Sequence, residues 1–121
     1  MNKCIIIGNL VRDPVLRTTQ NGNAVCNFTV AVNERRGDGE SAASYFDVSA
    51  WARLGEICDQ YLMKGKKVMV CGRVSARGYL SRSGEARASL SISAEEVEFL
   101  SPAGNAGEFE EVPADETPFS D

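Results

Sequence analysis

The sequence predicts an all-β domain that contains one short helix and is followed by a disordered acidic C-terminal tail. Apolar and polar residues alternate with a period of two in several segments between residues 4 and 100, which is the pattern of half-buried strands. Only residues 54–62 carry helical spacing. Residues 101–121 are rich in Pro, Gly, Ala and acidic side chains, a composition that cannot bury a core. The 121 residues therefore suit one folded domain over residues 1–100 and a flexible tail over residues 101–121.

Three strands are predicted before the helix. Residues 4–19 suit one long or bent strand, and Asn21-Gly22 supplies the hairpin turn that follows it. Residues 24–33 alternate between an apolar and a polar face. A polar connection over residues 34–43 leads to the third strand, residues 45–51, which alternates in the same way.

The helical segment places apolar residues at i, i+3, i+4, i+7 and i+8, which is typical of a short amphipathic helix. These residues are Leu54, Ile57, Cys58, Tyr61 and Leu62. Tyr61 is accordingly expected in the core, and Gly65 is expected to end the helix. Two further strands, residues 67–76 and 86–93, surround a turn, and residues 97–100 close the domain.

This order of elements predicts a five-stranded OB-fold barrel. An SH3-like barrel is the main alternative, but a helix between the third and fourth strands can plug the open end of an OB barrel. An OB barrel buries one face of each strand and offers the other face to an oligonucleotide or oligosaccharide. The expected class of function is therefore binding on an exposed strand face.

The net charge of −4 hides two segments of opposite sign. Residues 1–94 hold all 13 Lys and Arg residues against eight acids, a net charge of +5. Residues 95–121 hold the other nine acids and no Lys or Arg. Residues 1–94 are therefore basic, and the acidic balance of the whole chain says little about the partner of this segment.

Several classes of protein are disfavoured by composition. The cysteines at positions 4, 26, 58 and 71 form no CxxC pair, and the chain has no histidine, so neither a zinc site nor a Ser-His or Cys-His catalytic pair is expected. No cofactor or metal is expected. No apolar run approaches the ~20 residues of a membrane helix, and no signal peptide is apparent, so a cytoplasmic protein without a membrane partner is expected.

Short motifs in a fixed order over residues 2–100 resemble the bacterial single-stranded DNA-binding protein (SSB) family. The motifs are Gly8-Asn9-Leu10, Asp13-Pro14, Asn33-Glu34-Arg35, Leu54-Gly55-Glu56-Ile57, Tyr61-Leu62-Met63-Lys64-Gly65, Gly72-Arg73 and Ala94-Glu95-Glu96-Val97-Glu98-Phe99-Leu100. The resemblance implies an OB fold, assembled as a homotetramer, that binds single-stranded DNA without catalysis during replication, recombination and repair.

The resemblance also implies which side chains contact DNA. Tyr45, Trp51 and Tyr79 fall where aromatic side chains of the family stack on bases. The resemblance places cationic side chains near the phosphates at Lys3, Arg53, Lys64 and Arg77. Further cationic candidates on strand ends and loops are Arg35, Arg73 and Arg82. Arg36 stands where many relatives place a tryptophan, and its guanidinium plane can stack on a base with less surface.

Other interpretations remain open from the sequence. Trp51 could instead pack in the barrel beside the helix, although it shares the face of Tyr45 opposite the apolar side of its strand. The chain could be an OB adaptor that contacts proteins rather than DNA. A small hydrolase that uses Asp47 and nearby Ser49 is a more remote alternative, since no base is positioned for it.

The C-terminal tip resembles the acidic, Pro-Phe-containing tip by which the family docks onto replication and repair proteins. The residues that would carry this docking are Asp115, Glu116, Pro118 and Phe119. Ser120 and Asp121 follow Phe119, whereas in the family the Phe carboxylate ends the chain. The alternative interpretation is a solubilising acidic tail.

Overall fold

The computed structural model describes residues 1–35, 37–39 and 41–101. The predicted tail, apart from residue 101, therefore lies outside the described residues. The elements in chain order are β1 (Cys4–Leu10), β2 (Val15–Thr18), β3 (Ala24–Arg35), β4 (Ser41–Trp51), α1 (Ala52–Tyr61), β5 (Lys67–Leu80) and β6 (Ala86–Phe99).

Five of the strands close into a barrel in the order β1-β5-β6-β4-β3, because β1 also pairs with β3 through Asn9↔Ala31 and Leu10↔Val30. All neighbouring strands are antiparallel except β4 and β6, which run parallel from Phe46↔Leu90 to Ser49↔Ser93. Strand β2 pairs with the same edge of β3 as β1 does. The predicted all-β class and five-stranded, OB-like barrel are confirmed.

The barrel core consists of the inward-facing residues of the strands. Phe28, Val30, Val48, Val70 and Ile92 are at most 3% exposed. Helix α1 lies against this core through Gly55 and Cys58, and a Cβ atom at Gly55 would collide with the carbonyl oxygen of Ala50. The glycine therefore permits the close approach of the helix to β4 that caps the barrel.

Several predicted boundaries were wrong. The first strand is interrupted at residues 11–14, so that it forms β1 and β2 separately. Strands β3 and β4 continue into the predicted polar connection, since Arg35 still pairs with Ser41. The helix ends at Tyr61, where the Leu62 N–H donates to the Cys58 carbonyl, and Gly65 instead takes φ +89° in the next turn.

The predicted strand over residues 86–93 and the closing segment over residues 97–100 form one element. Strand β6 runs without a break through residues 94–96, and a register shift separates Gly72↔Ala94 from Cys71↔Glu96. Glu95 is the extra residue of this β-bulge. The bulge bends β6 so that a single strand can serve both the long hairpin with β5 and the closure of the barrel.

Candidate functional site

The outward face of β4 carries Tyr45, Asp47, Ser49 and Trp51 in alternation with the inward residues Phe46, Val48 and Ala50. The exposed fraction of Tyr45 is 58% and that of Trp51 is 45%, whereas Val48 and Ala50 are at most 1% exposed. The predicted orientation of the two aromatic side chains is therefore confirmed. Trp51 is not a core residue of this chain.

Trp51 lies at a sharp corner of the backbone. It is the last residue of β4 and the N-cap of α1, and Ala52 after it takes the left-handed conformation with φ +57°. The Trp51 backbone is fixed on one side by its pairing with Val25 of β3. The indole thus stands on a rigid strand end rather than on a loop.

A shallow groove of about 340 Å³ lies beside Trp51 and crosses β4, β6 and β5. Four serine residues contribute hydroxyl groups to its lining, and Trp51 and Arg73 contribute an aromatic surface and a cation. Its lining residues are Asn2, Ser49, Trp51, Arg73, Val74, Ser75, Ser91, Ile92 and Ser93. The groove therefore combines a stacking surface, a positive charge and neutral hydrogen-bonding groups in one place.

The serine residues of this groove were not among the predicted contacts. Ser89, Ser91 and Ser93 alternate with Leu90 and Ile92, a period-two signal that assigns the hydroxyl groups to the outward face of β6. Ser75 and Ser49 extend the same surface onto β5 and β4, since Ser75 pairs with Ser91 and Ser49 pairs with Ser93. Serine is so common on surfaces that the signal becomes specific only when the strand order is known.

Asn2 was missed as well, and it fixes the chain N-terminal to β1. Its Nδ2 donates to the Val74 carbonyl at 2.9 Å, and its Oδ1 accepts from the Val74 N–H at 3.2 Å. This pair of hydrogen bonds imitates a strand pairing with β5. Lys3 is thereby held near the groove.

Two of the predicted phosphate contacts share one carboxylate. Lys3 Nζ lies 3.6 Å from Glu95 Oε1, and Arg73 Nε lies 4.0 Å from Glu95 Oε2. All three side chains are about half exposed or more, so these ion pairs are weak and easily exchanged. The bulge thus brings Lys3 and Arg73 together at the end of the groove.

A hydrogen-bonded network orders the outward face from β2 to β4. Arg17 donates to Asn27 Oδ1 at 3.0 and 3.2 Å, and Asn27 Nδ2 donates to Ser49 Oγ at 2.9 Å. One step along the strands, Thr29 Oγ1 donates to Asp47 Oδ1 at 3.0 Å. These polar side chains are restrained before any ligand arrives.

The ends of β5 and β6 form a two-stranded arm that carries Arg77 and Tyr79, and Arg82 lies in the turn that joins the two strands. The pairing of β6 with β4 covers only Leu90–Ser93, whereas its pairing with β5 continues to Leu80↔Ala86. Tyr79 is 47% exposed, and by alternation it and Arg77 share the outward face of Arg73. The arm extends the aromatic and cationic surface beyond the groove.

The other predicted contacts are more dispersed. Arg35 is exposed at the far end of β3, and Arg53 is exposed in the first turn of α1. Lys64 follows the helix, with its N–H bonded to Asp13 Oδ1 at 2.9 Å, and does not line the groove. Arg36, Asp115, Glu116, Pro118 and Phe119 lie outside the described residues.

Tyr61 was wrongly assigned to the core. Its side chain is 57% exposed, and its ring centroid lies 5.8 Å from that of Phe99. The helical spacing was correct, but α1 buries a narrow face centred on Gly55 and Cys58. Tyr61 lies at the edge of that face.

The buried thiols have the chemistry of core residues. Burial, with a smaller contribution from the charge of Asp59, raises the pKa of Cys26 to about 11. Burial, with a smaller contribution from Cys26, raises the pKa of Cys58 to about 12. Among the described residues, no group of His, Cys, Asp and Glu could hold a metal ion, and no helix is long and apolar enough to span a bilayer.

Comparisons with known proteins identify the family of this chain. A sequence model of the single-strand binding protein family matches residues 1–100. A single-stranded DNA-binding protein of Treponema pallidum (strain Nichols) is 38% identical over 103 residues, which cover 83% of this chain and 58% of that protein. Single-stranded DNA-binding protein 2 of Clostridium acetobutylicum is 40% identical over 102 residues, which cover 83% of this chain and 77% of that protein. A single-stranded DNA-binding protein of Neisseria meningitidis serogroup A is 39% identical over 104 residues, which cover 83% of this chain and 60% of that protein.

Proposed function

Since the chain belongs to the single-strand binding protein family, we propose that it binds single-stranded DNA on the outward face of β4, β6 and β5. The observation that carries the proposal is the groove that joins exposed Trp51 to Arg73. The proposed role is to bind and protect single strands in replication, recombination and repair, in the cytoplasm on the nucleoid. It requires no cofactor.

Each component of the surface suits an unpaired strand. Trp51 and Tyr45 offer flat π surfaces, on which any base can stack because every base has a π face. Lys3 and Arg73 attract phosphates in exchange for their contacts with Glu95. The serine hydroxyl groups can both donate and accept, so they satisfy base edges of different kinds. Binding is therefore largely independent of sequence.

The contacts of Asp47 and Ser49 argue against the hydrolase alternative. Asp47 accepts a hydrogen bond from Thr29, and Ser49 accepts one from Asn27. No hydrogen bond joins Asp47 to the Ser49 hydroxyl within the described part of the chain, so Asp47 is not arranged to take the proton of Ser49. Activation of a serine requires a base within hydrogen-bond reach of it.

The test is a comparison of labelled single-stranded and duplex DNA of equal length and sequence, with fluorescence anisotropy at several salt concentrations. We expect tighter binding of the single strand, and an affinity that falls linearly on a log-log plot against salt as counterions are released. Equal affinity for the two forms would contradict the proposal. Retention of partner proteins with no DNA binding would favour the adaptor alternative.

We also propose self-association, as a homotetramer, through the free edge of β1. Residues 4–8 pair with β5 on one edge, and within the described chain their other edge has no strand partner. Ile5 and Ile7 are 63% and 50% exposed there, next to Cys71 and Met69 of β5. An apolar edge strand of this kind is a template for pairing with a second copy.

We further propose that residues 101–121 recruit replication and repair proteins through Asp115, Glu116, Pro118 and Phe119. The support is composition: acidic side chains surround a Pro-Phe pair whose benzyl group can fill a partner's pocket. Phe119→Ala should abolish capture of such proteins from lysate and leave DNA affinity unchanged. Equal recovery by both proteins would mean that the tail is a solubilising segment.

A further inference from the structure

Asp47 places a carboxylate near the middle of a surface otherwise built from aromatic rings, cations and hydroxyl groups. It lies between Tyr45 and Ser49 on the outward face of β4 and is exposed. Across the sheet it pairs with Thr29 of β3 and Ser91 of β6. The proposed stacking of bases gives this carboxylate no role, although it lies about two residues, or ~7 Å, from the Tyr45 ring position.

The carboxylate is partly ordered in advance. Its Oδ1 accepts the Thr29 hydroxyl at 3.0 Å, and Thr29 Oγ1 accepts in turn from Arg12 Nη2 at 3.5 Å. The structure gives Oδ2 no protein donor within the described part of the chain. Asp47 can therefore accept hydrogen bonds from a ligand without first breaking an internal one.

Charge determines which part of a strand can approach this position. A carboxylate repels phosphate. The cations Lys3 and Arg73 lie beyond β6 from Asp47, and Arg12, which is nearer, already donates to Thr29. A bound strand is therefore expected to keep its phosphates near Lys3 and Arg73 and to present base edges to Asp47.

The bases differ in what they offer to an acceptor. Guanine presents two adjacent donors, N1–H and the N2 amino group, which match the two oxygens of a carboxylate. Adenine and cytosine present one amino group each. Thymine presents a single N3–H between two carbonyl oxygens, which the carboxylate repels. Ser91, on the next strand, can donate to the guanine O6.

We propose that Asp47 gives this otherwise sequence-tolerant surface a preference for guanine over thymine at one base position. The proposal rests on the proposed binding of single-stranded DNA. It assigns to the carboxylate a specificity-determining role that the stacking residues cannot have, because stacking does not distinguish donors from acceptors.

The test uses three single strands of equal length: thymine throughout, guanine at every third position, and hypoxanthine at those same positions. Hypoxanthine differs from guanine only by the missing N2 amino group. Anisotropy titrations at one salt concentration should give the guanine strand a dissociation constant roughly five-fold lower than that of either other strand. This factor is at the lower end of the discrimination between bases that a bidentate contact provides.

Asp47→Asn keeps the side-chain shape, and its amide group can donate to thymine carbonyls. The variant should lose the guanine preference and bind the all-thymine strand more tightly than the parent does, since a repulsive charge is gone. Asp59→Asn removes the same charge from the exposed side of α1 and should keep the preference.

The outcomes separate the two proposals. Equal binding of all three strands by the parent protein would overturn the role of Asp47 and leave single-strand binding intact. An unchanged guanine preference in Asp47→Asn would overturn it also. Failure to bind any strand would contradict the proposed function itself.

Discussion

At the scale of single residues, Trp51 should contribute most to binding and little to stability. Its side chain is 45% exposed and outside the core, so Trp51→Ala should lower DNA affinity by ~1–3 kcal/mol and barely change the melting temperature. The matched control is Tyr61→Ala, which removes an exposed ring on α1, away from the groove, and should leave DNA affinity unchanged. Loss of the folded state in Trp51→Ala would restore the core assignment.

The two buried thiols of Cys26 and Cys58 predict how the free energy of unfolding depends on pH. The pKa of Cys26 is raised to about 11 and that of Cys58 to about 12 in the folded protein, from an ordinary value of 9.0. Below pH 9 both thiols are protonated in the folded and in the unfolded chain, so their contribution to the free energy of unfolding is fully present there. Above pH 9 the unfolded chain loses protons first, and the free energy of unfolding falls by up to about 1.4 kcal/mol per pH unit for each thiol.

Urea unfolding at pH 8 and pH 10 measures this effect. The parent protein should be less stable at pH 10, and Cys58→Ala should show a smaller difference between the two values, although its absolute stability is lower. A parent protein whose stability rises between pH 8 and pH 10 would contradict the assignment of buried, neutral thiols.

At the scale of elements, the contact of α1 with β4 depends on the absence of a side chain at Gly55. A methyl group there meets the Ala50 carbonyl oxygen and lies near the Cys26 N–H. Gly55→Ala should therefore lower the free energy of unfolding by ~1–3 kcal/mol. Gly37→Ala is the matched control, because nothing lies within 4 Å of its added Cβ, and it should change stability little. Equal melting temperatures of the two variants would contradict the close contact.

The strands whose two faces differ were predictable from the sequence. Alternation in β3 and β4 assigned Phe28 and Val48 to the core and Trp51 to the surface, because one face of each strand is apolar and the other is polar. The joined strand β6 was not predictable. Its polarity changes phase at the bulge at Glu95, and a single-residue insertion reads as a strand end when the pairing partner is unknown.

The candidate site was predictable only in part for a related reason. Tyr45, Trp51 and Arg73 belong to residue types that stand out, whereas Ser91, Ser93 and Asn2 do not. Their convergence results from strand order, with β6 between β4 and β5, and strand order is a long-range property. The exposure of Tyr61 likewise depends on how closely Gly55 lets the helix approach the barrel.

At the scale of the whole molecule, the free edge of β1 predicts the assembly state. The double substitution Ile5→Lys and Ile7→Lys should break self-association, because two charges on an edge strand oppose pairing with a second copy. Light scattering after size exclusion should then give the monomer mass. Val15→Lys, an equally exposed β-branched site on β2, should leave the assembly unchanged. A multimer that survives both lysines would exclude this edge as the interface.

The strand order of the whole barrel forms the face beside Trp51, and the central proposal is that bases stack on this face. Trp51 is the only tryptophan, so its emission reports on this face alone. The direct measurement is a titration with single-stranded DNA in which tryptophan emission and the anisotropy of labelled DNA are followed together. We expect emission to be quenched and to saturate at the same DNA ratio as the anisotropy. Binding by anisotropy with unchanged tryptophan emission would place the DNA elsewhere and contradict the claim.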